Sequence, residues 1–221
     1  MNDNTRFVWF EDQLISLDMT GDIYTVFSEA QSRELKRRVD AILARENDQS
    51  GAAADDNVGL PIHQSAFEAI SNGARRTYSG VSLNCWTILR RDVSFSNGLV
   101  VARALATLHA VHRCANTERM IGLTRMIERA RQARRPRAAL RVDVLIRSLN
   151  AACMLYPKKT KCLEWATTLV LLGFRYGHDL RLVVGVQNHP FYAHAWAELD
   201  REVVGDEPTL RDQLAVILET G

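Results

Sequence analysis

The chain has 221 residues, 47% of them hydrophobic and 24% charged, with a formal net charge of +2, which is enough to bury a substantial core as one or two domains. Its polar, acidic start (Met1, Asn2, Asp3, Asn4) has no basic-then-apolar signal pattern, and no apolar stretch reaches the roughly 18 residues of a membrane span, so a cytoplasmic address is expected. The four cysteines, Cys85, Cys114, Cys153 and Cys162, lack CxxC spacing, which argues against both a zinc knot and a disulfide framework.

Residues 7–10 and 14–17 are short strand candidates. Thr20, Gly21 and Asp22 make a turn into a third, 23–27 (Ile23, Tyr24, Thr25, Val26, Phe27), giving a small meander. A helix is expected next. Ser28 with Gln31 three residues on is a capping-box pattern, after which Leu35, Val39, Ile42 and Leu43 share one helical face. Strands followed by an amphipathic helix suit a winged-helix-like binding module for a peptide or a nucleic acid.

Residues 46–59 have no hydrophobic period and much turn chemistry, so the linker is placed there, with domains expected at 1–50 and 81–221 and a linker region over 51–80. Charge divides unevenly along the chain. Residues 1–60 carry 6 Lys and Arg against 12 Asp and Glu, whereas 113–147 carry 10 Arg against 3 acidic residues. The middle is helical over 99–114, 121–133 and 138–155, with Pro136 breaking the second of these. Its arginines (Arg129, Arg131, Arg134, Arg135, Arg137, Arg141) read first as a solvated face, with an acidic peptide, partner or nucleic acid as the alternative.

The end of the chain carries the chemistry. Cys162 opens an apolar helix over 163–174 behind the start signals Pro157 and Thr160. There the unpaired backbone N–H groups and about half an elementary charge of helix dipole favour thiolate. A β-type run over 180–186 follows, then a strand from His194 to Leu199 and another over 202–204, so one helix precedes a small antiparallel sheet. Cysteine, histidine and Asp206, in this order, match a nucleophile, a base and an orienting carboxylate. A three-residue hairpin loop (Leu199, Asp200, Arg201) would set Glu198 opposite Glu202 and His194 opposite Asp206; a two-residue loop would set Asp206 opposite Ala195. The longer loop is the expectation. Trp196 alternates onto the face of His194, as core or as a wall of a peptide cleft. His109 and His112 lack a third partner, so no metal is expected.

Lys161-Cys162-Leu163, Gly185-Val186, the run from His194 to Glu198, and Asp206-Glu207-Pro208-Thr209-Leu210-Arg211-Asp212 resemble the transglutaminase-like leader peptidases of lasso peptide biosynthesis, their B proteins in particular. The specific match covers about 158–218. Residues 7–45 are similar, more loosely, to the element that holds a precursor's leader. The resemblance implies an α+β chain: a small winged-helix-like recognition domain, then a transglutaminase-like (papain-like) domain with its catalytic helix packed on a small antiparallel sheet. It implies Cys162, His194 and Asp206 as the triad of a cysteine peptidase, and Ile23 to Phe27 as leader-binding candidates on a sheet edge. It implies as partners the lasso precursor peptide and an asparagine-synthetase-like cyclase. Hydrolysis needs no cofactor, ATP being used by the cyclase; neither membrane nor nucleic acid is expected as a partner. Two rivals stand beside this reading: a transglutaminase-like acyltransferase with the same three residues, and a non-enzymatic nucleic-acid-binding regulator, against which the net acidic first 60 residues count.

Overall fold

A computed structural model describes residues 4–49, 64–71, 73, 77–81, 93–95, 97–133 and 140–220. The chain divides into two compact units, 1–79 and 80–221, of mixed α+β structure with a small antiparallel sheet in each. Most of the linker expected over 46–59, Cys85 and the arginines at 134, 135 and 137 lie outside the described residues.

In the first unit β1 (Thr5–Phe10), β2 (Gln13–Asp18) and β3 (Ile23–Val26) form the expected meander, in the order β1-β2-β3. Helix α1 (Glu29–Gln49) starts as its sequence predicts. The Ser28 backbone N–H donates to Gln31 Oε1 at 2.9 Å, and the Gln31 N–H to Ser28 Oγ at 3.3 Å, satisfying donors that a helix start otherwise leaves open. Val39 packs with Phe7, Leu14 and Ile70, with Leu35 and Leu43 at its margin. Ile70 belongs to an unforeseen helix, α2 (Gln64–Ser71), inside the stretch read as linker. It is pinned by the Trp9 indole N–H, which donates to the Ile70 carbonyl at 3.1 Å.

The second unit packs helices on a sheet. Helix α3 (Gly98–Gln132) joins the two expected helices across a non-helical residue, Arg119, at φ 58°. Helices α4 (Val142–Leu155) and α5 (Cys162–Arg175) pack against it, and α5 also lies on the sheet of β4 (Leu180–Gln187) and β5 (Tyr192–Leu199). Leu108, Leu145, Leu149, Trp165 and Leu169 are fully buried between these elements, each contributing on the order of 1.5–3 kcal/mol through removal from water. Strand β6 (Glu202–Val204), the short helix α6 (Leu210–Gln213) and β7 (Ala215–Glu219) complete the unit, with the sheet in the order β6-β5-β4-β7. The strand β7 was not expected. Its apolar run pairs antiparallel with β4, leaving β4 and β5 as the inner strands. Among the described residues no helix is long and apolar enough to cross a membrane.

Candidate active site

Cys162 is the first residue of α5, as its position ahead of the apolar run requires. The cap is Lys161, one residue later than Thr160, held in extended backbone while its N–H donates to Glu164 Oε2 at 2.9 Å. The other oxygen of Glu164, itself buried, meets His112 Nδ1 of α3 at 2.8 Å, so the turn carrying the thiol is anchored from two sides. His112 therefore has an acidic partner that its own helix does not supply. Cys114 and Cys153 are buried thiols, whereas Cys162 is partly exposed.

The hairpin between β5 and β6 is shorter than expected. Leu199 pairs with Glu202 and Glu198 with Val203, which leaves a two-residue loop of Asp200 and Arg201. Both loop residues stand at positive φ, 51° and 69°, as a type I′ turn demands. That register, continued, would set Asp206 opposite Ala195 and not His194, yet the ladder ends at Val204. Gly205, at φ +74°, then turns the chain out of the strand, and a Cβ there would lie 2.6 Å from Trp165 Cη2. Asp206 leaves the ladder and its Oδ2 meets His194 Nε2 at 2.8 Å, while its Oδ1 accepts the Glu207 N–H at 2.8 Å. Histidine and carboxylate meet through a glycine bend rather than through strand pairing.

Tyr192, His194, Trp196 and Glu198 alternate onto one face of β5. The imidazole stacks between Tyr192 at 6.0 Å and Trp196 at 6.2 Å between ring centroids. Trp196 has no exposed surface and packs with Val183, Leu210 and Leu214, so it is core beneath the imidazole and not a wall of a cleft. Gly185, paired opposite His194, makes room for it: a Cβ at 185 would fall 2.7 Å from Trp196 Cη2.

With Nε2 donating to Asp206, Nδ1 is the ring nitrogen left for the thiol. It is buried and makes no regular hydrogen bond among the described residues, although Cys162 lies close enough to alter the ring's titration. Burial pushes the Cys162 thiol up, but the nearby His194 ring and its charge, with the Ala195 and Leu163 backbone N–H groups, outweigh it and hold the thiol below its ordinary value. Burial likewise works against charge on His194, yet Asp206 and Cys162 together raise it to about 9. Both shifts run in the direction that favours a thiolate beside an imidazolium. Glu198 and Arg211, joined at 2.6 Å beside this site, are the residues that sequence reasoning missed; the two-residue alternation from His194 was the available signal for Glu198.

In the first unit β3 pairs with β2 on one side and with no strand among the described residues on the other, and Ile23 is 59% exposed. Next to it a groove of about 450 Å³ is lined by Phe27, Ala30, Gln31, Glu34, Leu35 and Arg38. Of the expected leader-binding residues, Phe27 lines this groove, Ile23 and Thr25 are exposed, and Tyr24 and Val26 are half-buried. Among the described residues no group of three or more His, Cys, Asp or Glu is arranged to hold a metal ion.

Residues 104–219 match the family model of the transglutaminase-like superfamily. Over 61 residues the chain is 39% identical to the microcin J25-processing protein McjB of Escherichia coli. The aligned part is 28% of this chain and 29% of that relative, so the chain spans less than a third of the curated protein it matches. No solved structure gives a significant match.

Proposed function

This chain belongs to the transglutaminase-like superfamily, and from that starting point we propose that it is a cysteine peptidase that binds the leader of a ribosomally made lasso precursor and removes it. The observation carrying the proposal is geometric: Cys162 is the first residue of α5, which packs on β5, where His194 Nε2 meets Asp206 Oδ2 at 2.8 Å. The partial likeness to McjB, named as a processing protein for microcin J25, supports a role in precursor processing.

In this reading the Cys162 thiolate attacks the carbonyl carbon at the leader–core junction, and the Cys162 backbone N–H, free of any intrahelical acceptor, steadies the oxyanion. The C–S bond forms as His194 gives its proton to the leaving amine and the C–N bond breaks. Water then attacks the thioester and passes a proton to His194. The leader leaves as a carboxylic acid and the thiolate returns. Asp206 holds the ring so that Nδ1 faces the sulfur throughout. The freed core amine is the group that a partner asparagine-synthetase-like cyclase, using ATP, joins into the macrolactam; the hydrolysis itself draws on no cofactor.

The first unit serves, in the same reading, as a winged-helix-like recognition module. The side of β3 that no described strand pairs is the edge to which a leader would add as a strand, and the groove beside Phe27 and Leu35 takes its side chains. A nucleic-acid regulator would leave the buried thiolate–imidazolium pair without a task.

The test is incubation of the full chain with a precursor peptide, followed by mass spectrometry. A leader fragment heavier by one water, together with a core bearing a free amine, is expected, and Cys162→Ala and His194→Ala are each expected to abolish both. An amine adduct of the leader in place of the acid would mark an acyltransferase. Cleavage unchanged in Cys162→Ala would refute the peptidase.

A further inference from the structure

A second carboxylate, fully buried, ties the segment bearing Asp206 to the strand bearing His194. Glu198 lies four residues beyond His194 on the same face of β5 and has no exposed surface. A carboxylate in that position requires several partners. Arg211 supplies a two-pronged pair: its Nε donates to Glu198 Oε1 at 2.7 Å and its Nη2 to Oε2 at 2.6 Å. The Trp196 indole N–H adds a third bond, to Oε1 at 2.7 Å. Arg211 belongs to α6, five residues after Asp206, and its Nη2 also reaches Glu219 of β7 at 2.8 Å. Glu219 in turn accepts from Arg181 of β4 at 3.1 Å.

Everything Glu198 holds borders the site. Trp196 is the ring on which the imidazole rests, and the chain through Arg211 carries the carboxylate that the imidazole meets. We infer that Glu198 and Arg211 are positioning residues: their clamp fixes the indole under His194 and the 205–211 segment beside it as one unit, and so sets the His194–Asp206 bond. Neither residue touches the reacting atoms. The inference rests on the peptidase reading, and its test separates the two.

The test reads the thiolate without a peptide substrate, as the rate of alkylation of the full chain by iodoacetamide against pH, with the modified cysteine identified by mass spectrometry. Arg211→Lys keeps the charge and loses the planar fork, whereas Glu198→Gln keeps the shape and weakens the charge-assisted bonds. In both, the alkylation midpoint of Cys162 is expected to move up, and kcat for leader release to fall roughly ten- to a hundredfold with KM little changed. If neither single variant folds, the double variant Glu198→Met with Arg211→Met decides, since it leaves no lone buried charge. Folded variants with a lowered thermal midpoint but a wild-type alkylation profile and kcat would make the clamp merely structural and overturn the inference. A different result, wild-type Cys162 alkylating only in the ordinary thiol range, would sink the peptidase reading itself.

Discussion

The imidazole of His194 decides the pH behaviour of the proposed site. Its own burial favours the neutral ring, but Asp206 and the thiol overcome this and raise it to about 9, while the same contacts hold Cys162 below its ordinary value. The active ion pair needs the thiol deprotonated and the ring protonated. The pH profile of kcat/KM is therefore expected to be a bell whose alkaline limb lies near 9 and whose acid limb lies below the usual thiol range. Asp206→Asn should pull the alkaline limb down toward 6.5 and lower kcat by roughly 10²- to 10⁴-fold, as measured by initial rates across pH. The sign for stability follows. A raised histidine contributes fully below its unfolded value of 6.5, and this is lost as pH rises through about 9. The lowered Cys162 thiol carries the opposite sign over the same interval, so the pair holds one proton in both states and the wild-type thermal midpoint should stay nearly flat there, whereas Cys162→Ala, which leaves the histidine alone beside Asp206, should lose stability as pH rises. Cysteine, histidine and aspartate stood out in the sequence because each residue type sits in a local setting that its chemistry uses, and the structure sets His194 against Asp206 at 2.8 Å. Glu198 and Arg211 were not, since an ion pair between a strand and a later helix exists only once the two are packed together.

Among the elements, the turn and the glycine after it determine how the carboxylate arrives. Asp200 and Arg201 both adopt the left-handed backbone that costs an ordinary residue about 1–2 kcal/mol. Replacing them with Asn and Gly should stabilise the chain by about 0.5–1 kcal/mol in urea unfolding, leaving activity intact. Gly205→Ala should do the reverse, costing roughly 1–3 kcal/mol and lowering leader release, because the added carbon meets the Trp165 ring and the backbone is strained. The strands β4, β5 and β6 could be read from their composition and alternation, but the loop length between β5 and β6 could not. Asp-Arg is no customary type I′ pair, so composition did not point to the shorter loop, and the longer one, which faces His194 with Asp206, was expected. Strand β7 went unseen because Ala215 to Leu218 is an unbroken apolar run with neither a two- nor a 3.6-residue period. Helix α2 is only eight residues long and sits in a stretch of turn-like composition. The kink at Arg119 joins two correctly read helices into one element that no periodicity announced.

For the whole molecule, the mixed α+β class was legible in the change of pattern along the chain, and each of the units 1–79 and 80–221 has its own hydrophobic core. In the proposed reading, two separate cores give leader binding and bond cleavage separate energetic supports. A groove variant such as Ala30→Arg, at an exposed rim position, should raise KM for the precursor about tenfold and leave kcat at saturating peptide within about twofold, as steady-state kinetics would report. Equal losses in both constants would argue that the groove acts on the cleavage step and not on capture. The extent of the leader contact was not legible, because Tyr24 and Val26 are divided between surface and interior by a strand only four residues long.

The stacking of Trp196 under His194 gives the protein a built-in optical reporter. A protonated imidazole 6.2 Å from an indole quenches its emission, and a neutral one quenches it far less. Among the described residues only this tryptophan stacks on the ring, so the emission that wild type has beyond Trp196→Phe should brighten as alkali discharges the imidazole, tracing its charge before any peptide is added.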